Sequence, residues 1–298
     1  MSEQAIVAAV DGSSVSYNAA AWAAAEAALH GRRLELVTSV NVPVGWGPGA
    51  VMTDIDMDWL RKDGERILAE AARIARLSVS ESPEITTTLT FDPIISDLIA
   101  RSKRAHMIVV GSRGQGALRR GLLGSVSTAV TRHADCPVAV IHSWSAIDPV
   151  SADKPVLVGV DGSEYSMPAL ELAFDEASRR KVGLTALHAW SDVPIGMDVP
   201  MMGWDNTVRE TEQAAFAESL AGFSERYPEV PVRRILVQDR PVRALVDESD
   251  NAQLVVVGSH GRGGFTGMLL GSTSNAVLHS VETPLVIVRR RKTEEETG

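Results

Sequence analysis

The chain carries one cysteine, Cys136, in 298 residues, which excludes an intramolecular disulfide. A chain without disulfides suits a compartment where thiols stay reduced. Thr283 precedes Pro284 where Cys136 precedes Pro137 in the first half, so no role for sulfur is expected and Cys136 reads as a small buried residue. No apolar run reaches the roughly 18 residues that a membrane-crossing helix needs. No basic stretch precedes the first apolar segment, so no signal peptide is expected and the protein is read as cytoplasmic. Positive charge is short as well. A net charge of −9 leaves no basic stripe for nucleic acid and disfavours anionic membrane surfaces. The seven histidines fall at no metal-ligand spacing. Carboxylate pairs suited to acid–base work are not evident, so neither a metal site nor a catalytic residue is expected.

What is present is a duplication. Val10-Asp11-Gly12-Ser13 returns as Val160-Asp161-Gly162-Ser163, 150 residues later. Ile108-Val109-Val110-Gly111-Ser112 returns as Val255-Val256-Val257-Gly258-Ser259 at an offset of 147, and Leu122-Leu123-Gly124-Ser125 as Leu269-Leu270-Gly271-Ser272 at the same offset. A period this long marks a duplicated domain rather than a solenoid repeat of about 20 to 50 residues. The boundaries expected are 1–143 and 155–298, joined by a linker over 144–154 rich in Ser, Asp and Pro.

Within each half strands alternate with helices. In the first, strands are expected over Ala5–Val10, Leu34–Ser39, Ile85–Thr90, Met107–Val110 and Val138–Ile141. Helices are expected over Tyr17–His30, Asp56–Leu77, Pro93–Arg101 and Ser125–His133. Strands apolar on both faces indicate a parallel sheet covered by helices. The fold class expected is therefore α/β, with two tandem doubly wound five-stranded parallel-sheet domains. Ligands of such folds sit at the carboxyl ends of the strands, where strand order reverses. The six tryptophans, Trp22, Trp46, Trp59, Trp144, Trp190 and Trp204, read as core, with Trp190 placed to border a ligand.

The most informative segment is Gly111-Ser112-Arg113-Gly114-Gln115-Gly116-Ala117 and its continuation to Gly124-Ser125. Its counterpart is Gly258-Ser259-His260-Gly261-Arg262-Gly263-Gly264, continuing to Gly271-Ser272. Each runs from the end of an apolar strand to the start of a helix. Most such connections take about 2 to 6 residues, and these are roughly twice as long. Glycines let a ligand approach the backbone, successive N–H groups form an anion-binding nest, and a helix N-terminus favours phosphate. The bland alternative is a flexible loop whose serine caps the helix. Glycine spacing kept in both copies, beside residues that differ such as Gln115 and Arg262, weighs against it. Gly-Lys-Ser/Thr is missing, which excludes a P-loop, and the dinucleotide G-x-G-x-x-G pattern fails.

The spacing Gly-x2-Gly-x9-Gly-Ser resembles the ATP-binding motif of the universal stress protein family. Gly111, Gly114, Gly124 and Ser125 meet it once, and Gly258, Gly261, Gly271 and Ser272 meet it again. The family's first-strand ending, Asp-Gly-Ser, is met in both halves. The resemblance is closest to the tandem, actinobacterial type and to the subgroup that keeps the glycine motif. It implies two ATP molecules per chain, held with Mg2+. It also implies roles for residues. Asp11 and Asp161 would contact the ribose, unless the same Asp or its neighbouring Ser only caps a helix. Ala9 and Gly159 would lie beneath the base, and the backbone near Ser39 and Ala189 would read the adenine edge. Asp192 would reach base or ribose. The two loops, with Ser125-Val126-Ser127 and Ser272-Thr273-Ser274, would hold the phosphates; His260 and Arg113 either touch a phosphate or face solvent.

Three classes of function remain open: a nucleotide-dependent regulator of the stress, hypoxia or growth-arrest response, a slow ATPase or nucleotidyl enzyme, and a scaffold with structural ATP. The first is favoured by the missing general base, P-loop lysine and metal cluster. The final strands, Val138–Ile141 and Leu285–Val288, are short, apolar and free of blocking charges. The resemblance implies that they pair within one chain as a pseudo-dimer; association of whole chains as a homodimer is a further expectation.

Overall fold

A computed structural model describes residues 4–40, 54–114, 123–142, 151–190, 206–262 and 269–289. By internal packing the chain divides into two units, Met1–Pro149 and Val150–Gly298. Among the described residues no helix is long and apolar enough to cross a membrane.

The first unit runs β1 (Ile6–Ala9), α1 (Ser14–Leu29), β2 (Leu34–Ser39), α2 (Asp54–Leu77), β3 (Ile85–Thr90), α3 (Ile94–Ser102), β4 (Met107–Gly111), α4 (Ser125–His133) and β5 (Val138–Ile141). Its strand order is β3-β2-β1-β4-β5, and every pair is parallel. The second unit runs β6 (Val156–Gly159), α5 (Met167–Arg180), β7 (Leu184–Trp190), α6 (Asn206–Arg226), β8 (Val232–Gln238), α7 (Pro241–Ser249), β9 (Leu254–Gly258), α8 (Ser272–Ser280) and β10 (Leu285–Val288). Its order is β8-β7-β6-β9-β10, again parallel throughout. The α/β fold class expected from the apolar strands is the one observed. The chain leaves β1 toward β2 on one side and returns to β4 on the other. The reversal between β1 and β4, and between β6 and β9, opens the crevice where ligands of such sheets lie.

Local chemistry explains how the elements start and stop. The Ser13 hydroxyl caps α1 by accepting the Ser16 N–H at 3.2 Å. The helix is alanine-rich and buried on several faces, with Ala19, Ala20, Ala23, Ala24 and Ala27 inaccessible. Small side chains let it lie close against the sheet. The turn that follows needs a left-handed residue, and Gly31 supplies it at φ +60°. The second unit makes the same turn with Lys181 at φ 57°.

The outer strands β3 and β8 are only partly covered, whereas β4, β9, β5 and β10 are almost wholly buried. Cys136 is buried as expected. One tryptophan corrects the sequence reading. Trp59 on α2 is 65% exposed and belongs to no core, because it sits on the helix face turned away from the sheet. Trp22 and Trp190 are buried; Trp46, Trp144 and Trp204 lie outside the described residues.

Candidate functional site

The first strand of each unit ends in a carboxylate wired to its own turn. Asp11 Oδ1 accepts the Ser13 N–H at 3.0 Å and the Ser13 hydroxyl at 2.6 Å. Asp161 Oδ1 accepts the same two donors from Ser163, at 3.0 and 2.6 Å. The intervening glycines, Gly12 at φ 86° and Gly162 at φ 73°, make these tight turns possible. The second oxygen of each carboxylate faces the glycine loop. Asp161 Oδ2 accepts the backbone N–H of Arg262 at 2.7 Å. Asp11 Oδ2 lies against Gly114 as Asp161 Oδ2 lies against Gly261.

Each loop is stitched shut at its neck. Gly124 N–H donates to Ser112 O at 2.8 Å, and Gly271 N–H to Ser259 O at 2.7 Å. The Ser127 hydroxyl donates to Gly124 O at 2.9 Å and to Ser112 O at 3.2 Å. Its counterpart Ser274 donates to Gly258 O at 2.6 Å. These buried serines hold the ends of the loop together. Ser125 and Ser272 stand exposed at the first residue of α4 and α8, with Val126 and Thr273 beside them, partly covered. Both helices have glycine at the N-cap and no side-chain cap, so their first N–H groups are left for another acceptor, which a phosphate oxygen satisfies well. Ser112 is 1% exposed, and among the described residues nothing bonds its hydroxyl. Such a buried orphan costs free energy unless a ligand or water meets it.

In the second unit these parts enclose a cavity of about 450 Å³ at the carboxyl ends of β6, β7 and β9, within the range of about 300 to 1,000 Å³ usual for small-molecule sites. Gly159, Asp161, Ala189, Gly258, His260, Gly261, Arg262, Gly271, Ser272, Thr273 and Ser274 all line it. Trp190 borders it as well. In the first unit Ala9 ends β1 and Ser39 ends β2. Ser39 donates its hydroxyl to Asp92 O at 2.7 Å. Arg113 is partly exposed at the loop start. Gln115, Gly116, Ala117, Asp192, Gly263 and Gly264 lie outside the described residues.

Among the lining residues that escaped the sequence reading are His188, Glu212 and Leu245. Leu245 comes from α7 and passes beneath Gly159, its Cδ atoms 3.3 Å from where a Cβ would stand. His188, on β7, approaches Val160 O through Nδ1 at 2.7 Å and Glu212 Oε2 through Nε2 at 2.8 Å. A carbonyl only accepts, so Nδ1 donates. Glu212 Oε1 and Oε2 also receive Arg262 Nη1 at 3.1 and 3.2 Å. Burial pushes the Glu212 carboxyl up, but hydrogen bonds from Arg262 and His188 outweigh it and hold the group below the usual carboxylate range. The helix that carries Glu212 offers no motif at all, so its link to the loop becomes visible only when α6 is folded over the sheet.

Two doubly wound units, each with a glycine-rich connection between its fourth strand and an uncapped helix start, define a tandem α/β protein. The universal stress protein family model matches residues 3–142 and 154–289. The chain belongs to the universal stress protein family. Universal stress protein Rv2005c of Mycobacterium tuberculosis is 47% identical over 291 residues, covering 97% of this chain and 98% of its own length. Universal stress protein Rv2623 of the same organism is 40% identical over 290 residues and covers 97% of each chain. The crystal structure of a universal stress protein from Archaeoglobus fulgidus shares the fold with a TM-score of 0.68 at 23% identity, covering 97% of both chains.

Proposed function

We propose that each half binds one ATP and that occupancy, rather than turnover, is the protein's output in a stress response. The observation that carries this reading is the second-unit cavity, in which the loop glycines, the N-terminus of α8 and the Asp161 carboxylate converge. The residues fit a nucleotide. The uncapped helix start and loop N–H groups suit the phosphates, and the carboxylate suits ribose hydroxyls, having lone pairs beyond those used by Ser163 and Arg262. Gly159 lies in the cavity wall, with Leu245 packed against the face that a side chain would fill. Mg2+ would accompany the phosphates as a hard cation bound mainly by their oxygens.

Binding is favoured over hydrolysis by the state of the titratable groups. Asp161, His188 and Glu212 are each tied to neighbouring groups of the protein by hydrogen bonds that hold the turn, the loop and α6 in place. In the first half, the buried orphan hydroxyl of Ser112 supports a ligand at the same place. The test is chemical. Denaturing the purified protein and separating what is released should yield adenine nucleotide. Added ATP should then return to the emptied protein without phosphate appearing at a useful rate. Steady phosphate release that Asp11→Ala and Asp161→Ala abolish would make the protein an ATPase instead.

A further inference from the structure

We propose that Glu212 is a positioning residue of the second site: through Arg262 it sets the glycine loop in the form that receives phosphate, so the second half holds ATP more tightly than the first. The inference rests on the nucleotide reading above and adds an asymmetry to it.

A glycine-rich segment has many conformations to lose when it closes on a ligand. Fixing it beforehand removes that cost from binding. Arg262 is fixed twice. Its backbone N–H is held by Asp161 at 2.7 Å, and its guanidinium reaches across Gly162 to both oxygens of Glu212, at 3.1 and 3.2 Å. Glu212 is itself held on α6 by His188 Nε2 at 2.8 Å, and His188, which is 2% exposed, is pinned to Val160 O. The chain of bonds thus ties the loop to β6, β7 and α6, three elements that wall the cavity. The carboxylate lies between the Arg262 guanidinium and His188 Nε2, contacts from two sides that fix its orientation.

Two positions of this clamp differ in the first unit. Thr38 stands at the register position of His188, because Leu34 pairs with Ile6 as Leu184 pairs with Val156. By loop spacing the counterpart of Arg262 is the uncharged Gln115. Neither can build an ion pair with a helix carboxylate.

The experiment uses the full chain freed of nucleotide. ATP and adenosine are titrated separately into the wild type, Glu212→Gln, Arg262→Gln and the double variant. The wild type should show two unequal ATP sites. Each single variant should weaken the tighter site by about three- to tenfold, and the double variant by no more than either alone, since both remove one interaction. Adenosine affinity should fall far less than ATP affinity, because the Glu212–Arg262 pair acts on the phosphate loop; a general loosening of the fold would weaken both ligands alike. The Arg262 side chain is half exposed, so its variant remains informative if loss of Glu212 disturbs folding. Equal ATP affinity in wild type and both single variants would overturn the clamp while leaving nucleotide binding intact. Absence of binding by either ligand in the wild type would overturn both.

Discussion

Asp161 lies against Gly261 so closely that its Oδ2 occupies the space a Cβ on that glycine would need. Asp11 and Gly114 stand in the same relation in the first unit. The glycines are required here for contact and not for dihedral freedom: neither belongs to the described glycines with positive φ, which are Gly12, Gly31 and Gly162. A methyl group at Gly261 must push the carboxylate away from the Arg262 N–H. Gly261→Ala should therefore cost about 1 to 3 kcal/mol of stability by overpacking, and should weaken ATP at its own site by roughly tenfold through the disturbed hydrogen bond. Denaturant melts and calorimetric titration of the same variant measure the two effects. Wild-type values in both would show that the loop tolerates a side chain at this point.

Asp11→Ala and Asp161→Ala ask whether the carboxylates serve the ligand as well as their turns. Loss of a charge-assisted hydrogen bond amounts to about 1.5 to 3 kcal/mol, or roughly ten- to a hundredfold in affinity. Each variant should weaken only its own site, leaving a chain with one near-normal site in a two-site titration. If both sites weaken together in either variant, the carboxylate acts through the fold and not through the ligand.

Glu212 makes a pH prediction whose sign follows from its lowered pKa. A carboxylate depressed on folding adds stability that is fully present above its unfolded value, near about 4.3, and is lost as pH falls through the folded value. The difference in thermal midpoint between wild type and Glu212→Gln should shrink as pH falls below about 4.3. A difference that persists unchanged to lower pH would mean that the carboxylate's charge contributes nothing.

Much of this architecture could be read before any coordinates, for reasons that are physical. Val138–Ile141, Leu285–Val288 and Ile85–Thr90 are bounded by prolines and polar or charged residues, so their strands have the limits expected. The duplicated Asp-Gly-Ser and glycine loops marked the crevice because they are local in sequence and repeated. What could not be read depends on packing between distant segments. Trp59 sits on an amphipathic helix, and only the helix's rotation against the sheet shows that it points outward. His188 and Glu212 are 24 residues apart with no spacing rule to join them. The Ser127 and Ser274 hydroxyls bond back to the loop's neck, a use that an isolated motif does not reveal.

Lys181 offers a test of the duplicated scaffold without touching the site. It adopts φ 57° at the end of α5, where the first unit uses Gly31 at φ +60° with nothing within 4 Å of an added Cβ. A left-handed lysine carries a steric cost of about 1 to 2 kcal/mol, partly offset by the greater freedom glycine has when unfolded. Lys181→Gly should then stabilise the second unit by up to about 1 kcal/mol and raise its thermal midpoint by roughly 2 to 4 °C. A lower midpoint would mean that the lysine side chain makes a contact worth more than its strain.

The central claim is that both duplicated loops hold a nucleotide. It is tested most directly by calorimetric titration of Mg-ATP into full-length protein verified to be nucleotide-free. The account predicts a stoichiometry of two per chain, with the tighter site weakened in Asp161→Ala and the weaker one in Asp11→Ala. A stoichiometry of zero, in protein that melts cooperatively, would contradict it.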